Sequence, residues 1–366
     1  MGKNLSRRDF LKGTAAGAAS LAAMGMLAGC SQPAASDGGG AGATRGLAGD
    51  ASELYILVVP NSGIDYWHPV YAGFKALGLQ LGVQTSYMGS VEYEANAEVE
   101  TFNQALAKNP KGICVHPLTA EAFQAPINGA VDSGVAITTF AADAPDSKRQ
   151  GYVTSDNTNE GTYAAKTVGE AIGGKGGVMT CCNPGQTNHD IRVDSFREVI
   201  KELYPDVELL DNTPTAQDPD AAYQAVMTCA QKNPQLAAVF TPEASSAQGA
   251  AQAAKELGTG IKVMCVDTND AVLDMVKSGD MLSAIAPDQF AQGWHSMWLL
   301  FNAAHPEILT PMSFKKYEGQ NPTYIPYLDN GLDVVTADNA DYYYMANYIK
   351  TAGYSSIEDM LADGKP

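Results

Sequence analysis

Two strand-like stretches of the sequence end at positions where a ligand could be held. Asp267 directly follows the apolar run VMCV, and Ala141 and Ala142 follow the run ITTF. Apolar, β-branched runs that break into polar or Pro-containing segments predict buried strands leading into loops, and open α/β sheets hold ligands at such strand ends. We therefore expect the Asp267 carboxylate to face a cleft; capping of the following helix is the alternative.

Paired acids are the pattern that suggests an enzyme. Asp190 and Asp267 could act as acid and base in glycoside hydrolysis, but carboxylates that bind a sugar give the same pattern. The sequence contains no GxSxG, HExxH, Walker or GxGxxG motif, and no two of its five histidines are four residues apart. We therefore expect no catalytic residues, metal or cofactor.

The cysteines do not suggest a metal site or a disulfide framework. Apart from Cys30 there are five, an odd number without CxxC spacing, and most lie in apolar runs. We expect most of them to be small buried hydrophobic residues; the adjacent pair Cys181 and Cys182 is the exception, to which the sequence assigns no role. The five are Cys114, Cys181, Cys182, Cys229 and Cys265.

Elements that could position these residues follow a regular alternation from Glu53 onward. Apolar runs alternate with amphipathic stretches, which predicts parallel sheets with right-handed crossovers. The segment is longer than one core usually holds, so we expect an α/β fold of two doubly wound lobes with a ligand cleft between their strand ends. Helices are predicted over 67–81, 92–108, 119–132, 157–172, 190–203, 217–232, 244–257, 269–278 and 288–303.

The N-terminal segment predicts export and anchoring. SRRDFLK, residues 6–12, resembles the twin-arginine motif, and LAGC resembles a lipobox that ends at Cys30. We expect residues 1–30 to be a signal peptide, with Cys30 lipidated, and residues 31–52, rich in Ser, Gly, Ala and Pro, to be a flexible tether. Myristoylation of Gly2 also fits the first residues but leaves the rest of the segment unexplained.

Net charge limits the partners. The chain carries a formal charge of −18, and the predicted signal peptide is itself basic. Such an acidic surface is unfavourable for nucleic acid and for an anionic membrane. We expect no nucleic-acid partner, and membrane attachment only through the lipid, on the outer face of the cell membrane or in the periplasm.

Most of the chain from residue 53 to about 335 resembles the type I periplasmic, or solute-binding, proteins of ABC importers, in their ribose- and galactose-binding branch. The likeness rests on stretches such as IDYWHPVYAGFKALGLQLGV, YVTSDNTNEGTYAAKTVGEAI, RVDSFREVI and VMCVDTNDAVLDMVKSGDMLSAIAPDQFAQG. It implies two lobes joined by three crossings, near residues 155, 287 and 327. Residues 53–154 with 288–326 would then form the first lobe, and 155–287 with 327–366 the second.

The resemblance also implies ligand-binding residues. Tyr66 and Trp67 match an aromatic clamp, Arg192 the cleft arginine of an RxxxF pattern, and Asp267 the family's strand-end acid; Asn61, after the first strand, is a further candidate. The alternatives are that the two aromatic rings are core anchors of the first helix, and that Arg192 pairs with a nearby acid of its own helix, at 194 or 198.

Other positions depart from the family pattern. Ala141 and Ala142 replace a polar pair that usually holds ring hydroxyls, Glu243 replaces an Asn, and Pro287, followed by Asp288, replaces a cleft Gln. The resemblance makes Asp143 and Asp190 possible substitutes. The changed set predicts a sugar, sugar alcohol or amino-substituted sugar-like solute, with plain ribose or glucose binding weakly.

The implied partners are a small sugar-like solute and the permease subunits of an ABC importer, with the protein acting as a monomer. A sensor of the same fold that presents its ligand to a membrane receptor is the alternative that the sequence leaves open. A transcription regulator of this fold is not expected, because an export signal stands where its DNA-binding helices would be.

Overall fold

Two six-stranded sheets organise the protein, whose computed structural model describes residues 49–305 and 327–362. Every neighbouring pair in sheet A is parallel. In spatial order, sheet A consists of β11 (Tyr327–Asp329), β5 (Tyr152–Thr154), β4 (Ala136–Phe140), β3 (Gly112–Val115), β1 (Leu54–Val59) and β2 (Gln84–Gly89).

Sheet B has the same order of strands, except that its edge strand β12 (Leu332–Val335) pairs antiparallel with β10 (Ser283–Pro287). The remaining neighbours are parallel, and this repeated order confirms the predicted two-lobe α/β class. In spatial order after β10, sheet B continues with β9 (Lys262–Val266), β8 (Leu236–Thr241), β6 (Gly176–Cys182) and β7 (Val207–Pro214).

Helices cover both sheets and lie close to the predicted ranges. Lobe 1 is sheet A with α1 (Trp67–Leu81), α2 (Ala95–Leu106), α3 (Ala120–Asp132) and α9 (Gln289–Ala304). Lobe 2 is sheet B with α4 (Asn157–Ala171), α5 (Thr187–Leu203), α6 (Pro219–Lys232), α7 (Ala244–Leu257) and α8 (Asp270–Ser278). A 3-10 turn (Ala340–Tyr342) and two short helices, α10 (Met345–Thr351) and α11 (Ile357–Leu361), follow.

Local sequence explains why these elements form where they do. The central strands β3 and β4 are buried at every residue, as expected of parallel strands covered on both faces. Asp218 and Asn269 cap α6 and α8 through their side chains, and Gly258 and Gly279 end α7 and α8 in the left-handed conformation. The five cysteines of the described segments are free and buried, as predicted.

The lobe boundaries differ from the expected ones in two places. Residues 327–329 were expected in the second lobe, but β11 pairs with β5 in sheet A, so the third crossing lies between β11 and β12. The C-terminal tail was also expected in the second lobe. Instead it crosses once more after Tyr344, and Met360 lies in the lobe 1 core, where its carbonyl oxygen accepts a hydrogen bond from Lys75 Nζ at 2.6 Å.

The predictions for the N-terminal segment fall largely outside the described residues. The signal peptide with Cys30 and residues 31–48 lie there, as do residues 306–326 of the expected first lobe. The tether was expected to run to residue 52, but residues 49–52 are already attached to lobe 1: Gly49 N donates to the Leu81 carbonyl at 2.8 Å. Within the described segments, no helix has the length and apolar character needed to cross a membrane.

Asn330 joins the three crossings at the hinge. Its backbone N–H donates to the Thr154 carbonyl at 3.2 Å, and its Nδ2 donates to the Asp288 carbonyl at 3.2 Å. Its Oδ1 accepts from Gln292 Nε2 at 3.3 Å, and the residue is buried. The backbone and side chain of this one residue together tie the chain segments about which the lobes would rotate.

Candidate functional site

A cavity lies between the lobes at the C-terminal ends of their strands, where parallel sheets hold ligands. About 490 Å³ of empty space, which includes open solvent at the mouth, lies within its lining. Six of the predicted residues line it: Tyr66, Trp67, Ala141, Arg192, Glu243 and Asp267. The other lining residues are Ile64, Tyr93, His116, Gln186, Asn188, His189, Gln217, Ala244 and Ser245.

Ala141 and Asp267 occupy equivalent places in the two lobes. Ala141 follows β4 with φ 58°, and Asp267 follows β9 with φ 70°, so both adopt the left-handed conformation. Each donates its backbone N–H at 2.8 Å to the next strand, Ala141 to Val153 and Asp267 to Ile285. The same turn therefore presents a methyl group in lobe 1 and a carboxylate in lobe 2.

Arg192 is held between two carboxylates inside lobe 2. Its Nε donates to Glu160 Oε2 at 2.5 Å, and its two terminal nitrogens lie 3.4 Å from the oxygens of Asp267. Its Nη1 also donates to the Pro242 carbonyl at 2.9 Å. The alternative pairing within its own helix is not what the structure shows. Because the guanidinium is already neutralised, it can donate hydrogen bonds without attracting an anion.

A close approach of α4 to α5 places Glu160 beside Arg192. Gly161 makes this possible, because a Cβ atom there would lie 2.3 Å from the Arg192 carbonyl oxygen. Gly293 has the same role between α9 and α1, where a Cβ would lie 1.6 Å from the Val70 carbonyl oxygen. Both glycines are five residues after the acid that caps their helix.

Electrostatics make Asp267 sensitive to pH near neutrality. Burial raises its pKa to about 7; Arg192 acts in the opposite direction, whereas Glu160 and Glu243 add repulsion. About 13% of the side chain is exposed, toward the cavity. Burial alone would lower the pKa of Arg192, but Asp267 and Glu160 raise it, so the guanidinium keeps its charge.

Glu243 both caps a helix and lines the cavity. Its carboxylate accepts from the backbone N–H groups of Ser245 at 2.6 Å and Ser246 at 3.1 Å, at the start of α7. The residue is buried, which raises its pKa, while the bonds from Ser246 and Ser245 act to lower it. Its acceptor capacity toward a ligand is therefore shared with the helix end.

The aromatic pair at the start of α1 packs against the lobe 1 core and also lines the cavity. The ring of Trp67 meets Tyr66, His116 and Phe140 edge-on, at centroid distances of 4.8, 4.9 and 5.8 Å, and is buried in the lobe 1 core. It also lines the cavity, and its Nε1 has no partner among the described residues. Tyr66 donates to Gln292 Oε1 at 3.4 Å, which links the cavity to the hinge.

Two candidates of lobe 1 lie outside the cavity. Asn61 stabilises its own loop, since its Nδ2 donates to the Val91 carbonyl and its Oδ1 accepts from Gly63 N. Asp143 forms a bidentate pair with Arg149, at 2.8 and 2.6 Å, and lines a separate groove. Asp143 therefore does not replace the polar group missing at Ala141.

Asp190 and Asp288 also have other partners. Asp190 accepts from Gly185 N at 3.0 Å and does not line the cavity, so the structure does not bring it together with Asp267 as an acid pair. Asp288 caps α9 by accepting from Ala291 N at 2.8 Å. Its equivalent in lobe 2, Asp156, caps α4 in the same way.

A polar network in lobe 2 supplies residues that the sequence analysis missed. Gln217 N donates to Asn183 Oδ1 at 3.0 Å, which leaves Asn183 Nδ2 to donate to His189 Nδ1, also at 3.0 Å. Burial lowers the pKa of His189, and Arg192 adds to the effect. The neutral ring therefore carries its proton on Nε2. The polar run NPGQTNHD after β6 was a usable signal for this network.

His116 and Asn188 complete the set of polar side chains. Burial lowers the pKa of His116 to about 3, so its ring is neutral. His116 Nδ1 and Asn188 Oδ1 are buried and have no partner within the described residues, although both residues line the cavity. No group of His, Cys, Asp and Glu in the described segments is arranged to hold a metal ion.

Known proteins share this architecture. The profile described as "Periplasmic binding protein domain" matches residues 55–306, and that of the twin-arginine translocation pathway signal sequence matches residues 4–24. The D-allose-binding periplasmic protein of Escherichia coli K12 is 23% identical over 274 residues, covering 72% of this chain and 88% of the relative. A xylitol-binding protein of Mycolicibacterium smegmatis is 24% identical over 210 residues, covering 57% of this chain and 59% of the relative.

A solved structure gives the same assignment. The sugar-binding protein of a sugar ABC transporter from Bacillus halodurans has a TM-score of 0.75 and 30% identity, covering 80% of this chain and all of that one. The chain therefore belongs to the periplasmic binding protein family, as a solute-binding protein of the sugar ABC-importer type with a twin-arginine export signal.

Proposed function

We propose that the protein captures an uncharged polyhydroxylated solute, a sugar or sugar alcohol, or an amino-substituted analogue, between its lobes for delivery to an ABC permease. The observation that carries this proposal is the neutralisation of Arg192 by Glu160 and Asp267. With Glu243 also at the cavity, the buried charges are not net positive, which is unfavourable for an anionic solute.

The cavity offers both donors and acceptors, as hydroxyl groups require. Donors are Trp67 Nε1, His189 Nε2 and the Arg192 guanidinium; acceptors are the carboxylate of Asp267 and Asn188 Oδ1. A hydroxyl both donates and accepts, so a polyol can satisfy such a set, and each buried group left unpaired costs about 1–3 kcal/mol. The ring of Trp67 adds an apolar surface for the C–H face of a sugar.

The relatives support this solute class, since the two named above bind D-allose and xylitol by their names. A thermal-shift screen tests it with D-allose, xylitol, ribose, glucose, an amino sugar, amino acids, nucleosides and gluconate. We expect one or more polyols or sugars to raise the melting temperature, and gluconate to leave it unchanged. Stabilisation by amino acids or nucleosides only would reject the solute class and leave the family assignment intact.

Capture without chemistry is the second part of the proposal. The solute would shift the lobes toward the closed arrangement through its differential affinity, and a docked permease would release it. Mass spectrometry of the solute after prolonged incubation checks this part. Recovery of the unaltered compound is expected, and a hydrolysed or oxidised product would indicate an enzyme.

Lipid anchoring at Cys30 is the third part, supported by the LAGC sequence. After export by the twin-arginine route, cleavage before Cys30 would leave the protein attached to the outer face of a membrane through residues 31–48. Cys30→Ser should yield uncleaved precursor and remove lipid labelling by a radioactive fatty acid. Equal labelling and processing of the variant would reject the anchor.

A further inference from the structure

Tyr93 is a side chain of lobe 1 that hydrogen-bonds to lobe 2 across the cavity. Its hydroxyl oxygen accepts from Gln186 Nε2 at 2.8 Å and from Gln217 Nε2 at 2.6 Å. Gln217 Nε2 also donates to Gln186 Oε1 at 3.0 Å, which closes a ring of three side chains. We call this ring the Tyr93 latch, and all three of its residues line the cavity.

The loop that carries Gln217 is held in a conformation that ordinary residues avoid. Ala216 and Gln217 have φ angles of 50° and 58°, both left-handed and neither a glycine. Hydrogen bonds from Gln217 N to Asn183 Oδ1 and from Asp218 N to the Thr215 carbonyl hold the loop. Backbone strain of this kind persists where the surroundings fix it, commonly at functional sites.

The phenol proton of Tyr93 has no acceptor among the described residues. Both lone pairs of the oxygen receive amide protons from the two glutamines, so the O–H must point elsewhere. Burial raises the pKa of Tyr93, so the proton is retained at neutral pH. Since Tyr93 lines the cavity, a solute oxygen there is the available acceptor.

We propose that Tyr93 is a solute-binding residue that also holds the two lobes together, so that the phenol donates to the captured solute while the two glutamines hold the phenol. The donor half of this inference rests on the proposed function, whereas the latch half does not. Solute release requires the hydrogen bonds from both glutamine side chains to Tyr93 to break. The latch therefore slows dissociation more than it affects association.

Hydrogen–deuterium exchange tests the latch half without any sugar. Protein unfolded, dialysed and refolded to remove bound solute is compared as wild type, Tyr93→Phe and Tyr87→Phe. Tyr87 is a matched control, because its hydroxyl donates to the Ser62 carbonyl at 3.1 Å within lobe 1. Loss of two hydrogen bonds should raise exchange in the peptide covering residues 214–219 about tenfold in Tyr93→Phe alone. Unchanged exchange, or an equal increase in Tyr87→Phe, would overturn the latch.

Stopped-flow fluorescence with D-allose and xylitol tests the donor half. In Tyr93→Phe we expect release to be about tenfold faster or more than in a Gln186→Met/Gln217→Met double variant, which breaks the latch but keeps the phenol, and association to change by less than about threefold. A loss confined to association, or unchanged release, would overturn this half. If neither compound binds the wild type, the donor half is rejected together with the proposed function for these solutes, while the exchange result still decides the latch.

Discussion

Asp267 should make solute binding depend on pH, and its replacement by Asn should remove that dependence. The carboxyl lies 3.4 Å from the Arg192 guanidinium, and burial raises its pKa to about 7. Only the ionised form accepts hydrogen bonds from solute hydroxyls at both oxygens. Affinity should therefore fall as the pH drops through about 7, toward a limit of about tenfold per pH unit.

Stability of the solute-free protein should change with the opposite sign. The pKa of Asp267 is about 7 in the folded protein against an ordinary value of 3.8, so folding takes up a proton between these two pH values. The favourable contribution is present below about pH 4 and is lost as the pH rises to about 7. At about 1.4 kcal/mol per unit of pKa shift, the loss is at most about 4 kcal/mol.

Calorimetric titration and urea unfolding at pH 5, 6, 7 and 8 measure both effects. Asp267→Asn should bind at least about tenfold more weakly at pH 8, with little further change down to pH 5. Asp288→Asn is the matched control, because it keeps a helix cap outside the cavity and should behave as the wild type. Wild-type affinity that is constant from pH 5 to 8, or an Asp267→Asn profile with the wild-type slope, would refute the reasoning.

Three other substitutions test the site and the hinge. Arg192→Met should weaken solute binding at least about tenfold and lower the free energy of unfolding by about 3–5 kcal/mol, because Glu160 loses its ion-pair partner while buried. Adding Glu160→Gln should restore stability, measured by urea unfolding, but not affinity, measured by calorimetry. Ala141→Asp should fold, since Asp tolerates the left-handed φ of 58° there, and should either add affinity for ribose or glucose or block xylitol; unchanged affinities by calorimetry would remove Ala141 from the site. Asn330→Ala should lower the free energy of unfolding by about 1–3 kcal/mol, because the Asp288 carbonyl and the Gln292 amide lose their side-chain partner while the backbone bond to Thr154 remains; an unchanged urea midpoint would count against that role.

The alternation of apolar runs and helical stretches was sufficient to predict most of the fold. Helices α1 and α7 match their predicted ranges: Gly82 and Gly258 end them in the left-handed conformation, and Glu243 caps the start of α7. The lobe boundary at 327 was wrong because strand pairing is a long-range property. The three residues of β11 contain nothing that distinguishes an edge strand of sheet A from one of sheet B.

Cavity-lining residues could be predicted where a local pattern marks a strand or helix end, but not where two distant segments meet. Asp267 follows a buried strand, and Arg192 lies on the helix after another. Glu160 was missed because it looks like an ordinary residue in the first turn of a helix, and only the packing of α4 on α5 brings it to Arg192. Tyr93 was missed because its partners belong to the other lobe.

The two lobes repeat one plan but contribute different chemistry to the cavity. The position after the fourth strand is Ala141 in lobe 1 and Asp267 in lobe 2, and the position four residues after the helix-capping acid is Gln292 in lobe 1 and Glu160 in lobe 2. All charged residues that line the cavity are therefore on lobe 2, whereas lobe 1 contributes mainly aromatic rings and a methyl group.

For the proposed solute, this asymmetry would explain why alanine can stand at position 141. A sugar has an apolar C–H surface and a polar hydroxyl edge, and the two walls of the cavity would match one each. The lobe 1 wall formed by Trp67 and Ala141 would accept the C–H surface, so a carboxylate at 141 would be desolvated without a hydroxyl to bind. The hydroxyl edge would face Arg192 and Asp267, whose charges are balanced within lobe 2 before any solute arrives.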